Sequence, residues 1–476
     1  MTVTESVQGW DGSSFDLVVI GAGPAGEKGA AQAAYFGKRV AVIEAESVGG
    51  AVVNTGTLPS KTLRETALYL SGLRSRGRFG IDYSFTRSIS ADDLFYRKNL
   101  VERLHLDLVD GNLERHGVSV IHGRAEMADA HSVIVHGADG SRARVAGEFI
   151  LLTTGSRPAR PASIPFDGEY VHDTDTILQL KRIPSSLVII GGGVIGSEYT
   201  TLFAALGSRV TLVDSGERLL PFLDSEVAEI LGREMQAMGV CLLSGRKMAS
   251  IGGPAGANGV NVTLDDGNEL AADVVLYCGG RLGNTGGLGL ERLGVIPDAR
   301  GRFAVDEYYR TSVPSLLAAG DVIGFPALAS TAMEQARVAV CHAFGFAYKR
   351  QVSALIPYGL YTIPEVSTVG ASEDALRASG APYLVGRAWF RRNARAQIAG
   401  ESAGLIKLLF DPDSRRVLGV HIVGERASEL IHIGQMCMQF DGTLDVFIEN
   451  VFNFPTLSDA YKYAAYDGLQ ALERHR

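Results

Sequence analysis

Only four cysteines occur among 476 residues, at Cys241, Cys278, Cys341 and Cys437, and no two form a C-x-x-C pair. Such spacing offers neither a disulfide framework nor a metal site, and it suits isolated thiols in a reducing compartment. Positive charge is also in deficit. Against 53 Asp and Glu stand 45 Lys and Arg, giving a formal charge of −8 and a pI near 5.8. A chain with that balance lacks the positive surface that nucleic acid requires, so no such partner is expected. The one short arginine group, Arg391, Arg392 and Arg395, reads as a solvated loop. No apolar run is long enough to cross a bilayer. The opening stretch MTVTESVQGWDGSS lacks the charged-then-apolar order of a secretory signal, so a cytoplasmic protein is expected, without a membrane partner.

What the chain has in plenty is glycine, 57 residues, within a 46% hydrophobic composition. That pairing suits a turn-rich α/β protein of two or three domains with a large core. Two glycine turns stand out: GAGPAG, with Gly21, Gly23 and Gly26, and GGGVIG, with Gly191, Gly193 and Gly196. Each follows an apolar run and opens a helical pattern, and residues 16–44 and 186–214 repeat one strand–turn–helix–strand unit.

The pattern predicts strands at Asp16–Ile20 and Arg39–Ile43, with an Ala-rich helix between them. A helix is expected to start at Pro59-Ser60-Lys61 and continue through LRETALYLSGLRSR, with another over 91–115. HSVIVHG, ARVAG and EFILLTTGS read as three short strands. GVNVTL and ADVVLYCGG are strands of the second unit, and TSVPSLLAAGDV followed by TAMEQARVAVCHAFG returns to the first. From about residue 351 the runs IPEVSTVG, LIKLLF and VLGVHIVG alternate like antiparallel strands.

In such turns the first glycine makes the bend, the second lets a pyrophosphate approach, and the third lets helix and strand pack. The phosphate charge then sits at the helix N-terminus. Glu44 falls eighteen residues past Gly26, and Asp214 eighteen past Gly196, where a carboxylate can take a ribose diol. The Gly320-Asp321 pair places a further carboxylate for a polyol hydroxyl, or caps a helix. Arg218, four residues past Asp214, can meet a 2′-phosphate or pair with Glu217 or Asp214. An acid at 214 favours NADH over NADPH.

Together these residues resemble the pyridine nucleotide-disulfide oxidoreductases, the two-dinucleotide flavoproteins that include glutathione reductase and lipoamide dehydrogenase. The resemblance runs from Asp16 to the end. It implies two Rossmann-like dinucleotide-binding domains plus a C-terminal α+β dimerisation domain, a glutathione reductase-like α/β fold. The expected division is 1–157 and 282–350 for FAD, 158–281 for NAD(P), and 351–476 for the interface of a homodimer or a higher oligomer. GGAVVNTGTLPSKTL (Gly49–Leu63) resembles the family's redox helix, with Val52 and Thr57 at its two cysteine positions. FNFPTLSDAYKYAA resembles its His–Glu segment, with Asn453 for the histidine and Asp459 for the glutamate. Asparagine has no proton to exchange near neutrality, so both halves of thiol chemistry are missing together. GTLPSKTLRE and the Asn453 segment look like the soluble pyridine nucleotide transhydrogenase branch. Val52 departs from that branch, which often keeps the first cysteine.

The resemblance also implies site residues. For FAD they are Gly21, Gly23, Pro24, Ala25, Gly26, Glu44, Ala45, Gly50, Thr57, Lys61, Thr154, Gly155, Gly320, Asp321, Ala329 and Thr331. For NAD(P) they are Gly191, Gly193, Val194, Ile195, Gly196, Glu198, Asp214, Arg218 and Gly280. Lys61 matches the lysine beside flavin N5 and Glu198 its partner carboxylate; read alone, each is an ordinary helix residue. Asn453, Asp459 and Thr456 fall near the partner chain's flavin, or pack the dimer interface, with Pro455 fixing the turn. The helix near Thr331 points its N-terminus at the flavin N1–C2 side. The implied activity is hydride transfer between NAD(H) and NADP(H) through flavin N5 with no disulfide. The alternatives are an NAD(P)H:quinone or dye reductase, and a flavin-binding sensor or structural protein without turnover.

Overall fold

The computed structural model describes residues 6–72, 89–252, 259–401 and 403–475. Its contacts divide the chain into two units of three stretches each. Met1–Thr62, Tyr96–Ala159 and Gly280–Ser353 make the first; Leu63–Phe95, Arg160–Gly279 and Ala354–Arg476 make the second.

The first unit is built on a seven-stranded sheet. Strand Ser14–Ile20 lies between Val40–Glu44 and Arg142–Leu152, parallel to both. Ser119–His122 extends one side, and Leu316–Ala318 pairs in parallel with Arg142–Leu152. Arg124–Asp129 and Ser132–His136 add an antiparallel edge. Leu17, Val18, Val19 and Ile20 are all buried, as a central parallel strand covered on both faces requires. Helix Pro24–Tyr35 lies close to this sheet because its inner face is small. A Cβ on Gly29 would stand 2.8 Å from Leu151 and 3.2 Å from Ala336, which sits on helix Ala329–Phe344.

Among the described residues the second unit holds three sheets. The first is parallel, in the order Cys241–Ser244, Arg209–Asp214, Ser186–Ile190, Val274–Tyr277, Val171–His172. A three-stranded antiparallel sheet is formed by Met248–Gly252, Val260–Leu264 and Glu269–Ala272. The C-terminal sheet orders Tyr358–Leu360, Val366–Gly370, Val417–Val423, Leu405–Phe410 and Leu384–Trp389, all antiparallel. Helix Ala460–His475 lies against its edge, where a Cβ on Gly386 would come within 2.1 Å of the Ala464 carbonyl.

Inside this unit a buried cation ties the loop after Asp214 to the C-terminal sheet. Lys407 Nζ, fully buried, stands 2.8 Å from Asp224, 3.0 Å from Glu226 and 2.6 Å from Glu373. Asp224 also accepts the Glu226 amide at 3.2 Å and so caps helix Ser225–Ala237. An unpaired charge at this depth would be costly, so the cluster fixes the loop in place.

Several expected elements differ. ARVAG and EFILLTTGS form one strand, Arg142–Leu152. Its burial alternates at first, where it pairs antiparallel, and becomes continuous at Ile150–Leu152, where it is central; the change of period mimics a break. The helix expected from Pro59 begins at Thr57, follows a short helix Gly50–Asn54, and runs to Ser71; the end of LRETALYLSGLRSR lies outside the described residues. The arginine group is not a loop. Arg391 and Arg392 sit in a 3₁₀ turn and Arg395 in helix Ala394–Ala399, which Asn393 caps at 3.0 Å. All three arginines are exposed. All four cysteines are free thiols.

Candidate functional site

The first glycine turn follows strand Ser14–Ile20. Gly21 has φ +101°, and a Cβ on Gly26 would stand 1.9 Å from the Gly21 carbonyl oxygen, so no other residue fits there. A Cβ on Gly21 would meet the Thr153 carbonyl at 2.6 Å. The Thr153 hydroxyl donates to the carbonyls of Ile20 and Gly21 at 3.0 and 2.8 Å and pins the bend. Helix Pro24–Tyr35 opens on Gly23 with no side-chain cap. Pro24 has no amide, and the amides of Ala25 and Gly26 stay open for an anion.

Glu44 closes the neighbouring strand, in register just past the Ile20–Ile43 pair. Its carboxylate accepts the amides of Ala22 at 2.7 Å and Glu46 at 2.8 Å; Ala45 between them is exposed. Gly49 donates to the Ala22 carbonyl at 2.8 Å, and a Cβ on Gly50 would stand 2.8 Å from Gly23 Cα. The short helix that carries Val52 is therefore seated on the turn, and the next helix carries Thr57 and Lys61, both half-buried. Lys61 Nζ lies 3.4 Å from Ser60 Oγ.

Thr154 tests whether a ligand fits. Its Oγ1 is buried with no hydrogen-bond partner, while its carbonyl and that of Gly155 are taken by Asn284 at 3.0 and 2.9 Å. A buried hydroxyl without a partner is costly. A dinucleotide seated beside Gly21 would fit that need.

Asp321 opens a 3₁₀ turn whose cap is Gly320, so it is not itself the cap. Its Oδ2 accepts from Ser156 Oγ at 2.6 Å, which in turn accepts from Arg281 Nε at 2.8 Å. The Gly320 amide donates to Gln335 at 2.9 Å. Helix Ala329–Phe344 starts on Leu328, again without a side-chain cap. The Thr331 hydroxyl is occupied, donating to the carbonyls of Pro326 and Leu328 at 2.9 Å each.

The second turn, in the other unit, repeats the first almost angle for angle. Gly191 has φ +105°, and a Cβ on Gly196 would again lie 1.9 Å from the carbonyl of the first glycine. Gly23 and Gly193 share extended caps, with φ/ψ of −69°/−176° and −68°/−174°. A Cβ on Gly193 would meet nothing within 4 Å, which leaves the front of Val194 and Ile195 open. The Cys278 carbonyl takes the place held by Thr153, 2.7 Å from where a Gly191 Cβ would be. Burial, with the Asp173 charge added, pushes the Cys278 thiol well above its ordinary range, so it stays protonated.

Asp214 Oδ1 accepts the Gly192 amide at 3.1 Å. Arg218 pairs with neither Glu217 nor Asp214. It reaches Asp374 at 3.1 Å and the Pro221 carbonyl at 2.7 Å. Glu198 is buried on helix Val194–Ala205, and its carboxylate accepts the Tyr361 amide at 2.9 Å. Gly280 falls within the first unit, where its carbonyl accepts the Ala159 amide at 3.0 Å. Near the C-terminus Asn453 is exposed, and its carbonyl accepts from Thr456 Oγ1 at 2.8 Å; the same hydroxyl accepts the amide of buried Asp459 at 3.3 Å. Pro455 follows a cis bond in that turn.

The pyridine nucleotide-disulphide oxidoreductase family matches residues 15–336, and its dimerisation domain matches 356–465. The chain belongs to this family. A soluble pyridine nucleotide transhydrogenase of Mycobacterium bovis (strain BCG / Pasteur 1173P2) is 44% identical, over 95% of this chain and 97% of its own length. Another from Hahella chejuensis is 40% identical over 96% and 99%. Among solved structures, LpdA from Mycobacterium tuberculosis aligns with a TM-score of 0.88 at 29% identity, over 98% of this chain and all of that one. The HOCl-induced flavoprotein disulfide reductase RclA from Escherichia coli aligns at 0.84 and 28%, over 94% and 98%. The pyridine nucleotide-disulphide oxidoreductase fold is thus the fold of this chain.

Three positions escape a reading of the sequence. Thr153 lies inside TTGS, where only its neighbours carry a signal. Gln335 is one of many polar helix residues. Asp374 is 156 residues from Arg218, and nothing in the local pattern joins them.

Proposed function

We propose that the chain is a flavin-dependent pyridine nucleotide transhydrogenase that moves a hydride between NAD(H) and NADP(H). The observation that carries this is the repetition of one glycine turn, each with an acid behind it, in a chain with Val52 and Thr57 in its redox-helix segment. The transhydrogenases at 44% and 40% identity support it.

FAD belongs to the first turn. Gly21 to Gly26 leave room for its pyrophosphate, Glu44 takes a ribose diol, Thr154 gives its unpaired hydroxyl, and Asp321 takes a polyol hydroxyl. When bound, FAD supplies a carrier that accepts and returns a hydride at N5. The chain supplies binding, orientation and charge. Lys61 brings a positive charge to helix Thr57–Ser71, which follows the first turn, and Glu198 a negative charge to the helix of the second. The open amides at Ala329 would favour negative charge on a group held near them. The second turn binds NADH, releases NAD and admits NADP, with Asp214 reading the adenosine ribose. Asn453 offers no base for a thiol; with Asp459 it lies near the partner chain's flavin or packs the dimer interface.

Residues 1–157 and 282–350 form the FAD domain, 158–281 the NAD(P) domain and 351–476 an interface domain in this reading. The protein works in the cytoplasm as at least a homodimer. Exposed Met436, Phe440, Val451 and Phe454 support a partner surface there.

The test is anaerobic reduction by NADH, with reoxidation by NADP, a quinone and a disulfide compared in parallel. Fast reoxidation by NADP, and reduction of thio-NAD by NADPH, are expected. Fast quinone turnover without transhydrogenation, or useful disulfide reduction, refutes the proposal. A bound flavin that NADH does not bleach would point to a protein without turnover.

A further inference from the structure

One pocket that serves both NAD and NADP faces a conflict at the 2′ position. Asp214 favours the free hydroxyl and repels a phosphate there. The carboxylate is boxed between two glycines. A Cβ on Gly192 would stand 2.8 Å from Asp214 Cγ, and one on Gly216 would stand 3.2 Å from Asp214 Oδ2 and 3.4 Å from the Arg218 carbonyl. The backbone of Arg218 therefore borders the acid. Its guanidinium turns aside, to Asp374 at 3.1 Å, the Pro221 carbonyl at 2.7 Å and the Leu223 carbonyl at 3.5 Å.

We propose that Asp374 sets the balance between the two dinucleotides by competing with the 2′-phosphate for Arg218. The inference rests on the second turn being the nicotinamide dinucleotide site. The pair is weakly held. The side chains are 38% and 35% exposed, and an ion pair in that setting biases an equilibrium by no more than about fivefold. A 2′-phosphate brings about −2 charges and three acceptor oxygens against one carboxylate, so it outbids Asp374. With NAD bound, Arg218 stays on Asp374 and Asp214 takes the hydroxyl. With NADP bound, Arg218 leaves Asp374 and neutralises the phosphate that Asp214 would repel. Asp374 is a positioning residue: it acts on the ligand only through Arg218. It also accepts the Ser225 amide at 3.1 Å, and its second oxygen lies 3.9 Å from Arg377. Asp374→Asn keeps an oxygen for Ser225 and removes the charge.

The test titrates the flavin-loaded protein by calorimetry with 5′-AMP and with adenosine 2′,5′-bisphosphate, which differ only in the 2′-phosphate. Asp374→Asn is expected to tighten the bisphosphate about two- to fivefold and leave 5′-AMP unchanged. Arg218→Ala is expected to weaken the bisphosphate about tenfold and to erase the gain when combined with Asp374→Asn. Asp374→Ser gives the same reading if the Asn variant is insoluble. Equal changes for both ligands, or a gain that survives Arg218→Ala, overturn the inference alone. If neither ligand binds the wild-type protein, the reading of the second turn falls with it.

Discussion

Replacing Asp214 by Asn is the sharpest probe of cofactor choice. The amide keeps an oxygen for the Gly192 amide, now 3.1 Å from Oδ1, so the turn retains its acceptor. What is lost is charge. A hydrogen bond to an ionised carboxylate contributes about 1.5–3 kcal/mol, and its neutral counterpart about 0.5–1.5 kcal/mol. The difference of about 1–1.5 kcal/mol weakens NADH by roughly five- to tenfold. NADPH gains in the same step, because its 2′-phosphate no longer faces an anion. The ratio of kcat/KM for NADPH over NADH should then rise by at least about tenfold. Bleaching of the bound flavin by each nucleotide, under anaerobic conditions and over a range of concentrations, gives both numbers. An unchanged ratio would refute the assignment of Asp214 to the ribose. A rise caused only by loss of NADH binding would refute the repulsion.

Lys61→Ala should slow flavin bleaching by NADH far more than it weakens NADH binding, and equal losses in both would remove Lys61 from the hydride-transfer step. Gly26→Ala and Gly196→Ala each drive a Cβ to 1.9 Å from a carbonyl oxygen. The first should give protein without yellow colour, the second protein that keeps its flavin but is not bleached by NADH; the reverse pattern, seen by absorbance, would exchange the two sites. Stability should also fall in two steps on acidification. Burial holds His421 and His172 below their ordinary value of 6.5, so the unfolded chain takes up protons first and stability declines as pH drops below about 6.5. Asp224, Lys407 and Asp374 face His421, as do the Thr368 hydroxyl and the Ala371 carbonyl. Burial alone would raise Asp224 and Glu226, but His421 and Lys407 at the first, and Arg387 and Lys407 at the second, hold both carboxyls low. Their contribution is present above the ordinary values of 3.8 and 4.5 and is lost as pH falls through the folded values. Thermal midpoints across pH should show both declines, with His421→Gln shrinking the first; an unchanged upper decline in that variant would refute its cause.

The glycine turns were legible because every residue that defines them lies within about thirty positions of the next. Gly21, Gly26 and Glu44 are joined by one strand–helix–strand excursion, and the register that sets Glu44 beside Ala22 follows from two short parallel strands. The same rule placed Asp214. Local pattern failed where tertiary partners change the period. Arg142–Leu152 passes from an antiparallel edge to the sheet centre, and its sequence changes character as if it were two strands. It failed again at Arg218, for which Glu217 and Asp214 were the neighbours in view. Asp374 is brought there by the C-terminal portion of the chain, and Lys407 with its three carboxylates holds the intervening loop. No spacing rule reports a partner that distant.

The two turns share a backbone but not the support of their acids, and this difference bears on which ligand stays. Glu44 has both oxygens engaged, by amides at 2.7 and 2.8 Å, so its orientation is fixed before any ribose arrives. Asp214 has one oxygen engaged, at 3.1 Å, and Oδ2 has no protein donor among the described residues. A pre-ordered acceptor spares the ligand the cost of ordering it, and so favours tight, lasting binding. The first turn also keeps a buried, unpartnered hydroxyl at Thr154, which makes its empty state costly. At the second turn the position matching Thr154 is Gly279, which has no side chain to leave unpaired. A site that is strained when empty retains its ligand; a site that is at ease when empty can release one dinucleotide and take another. Transhydrogenation asks for one of each.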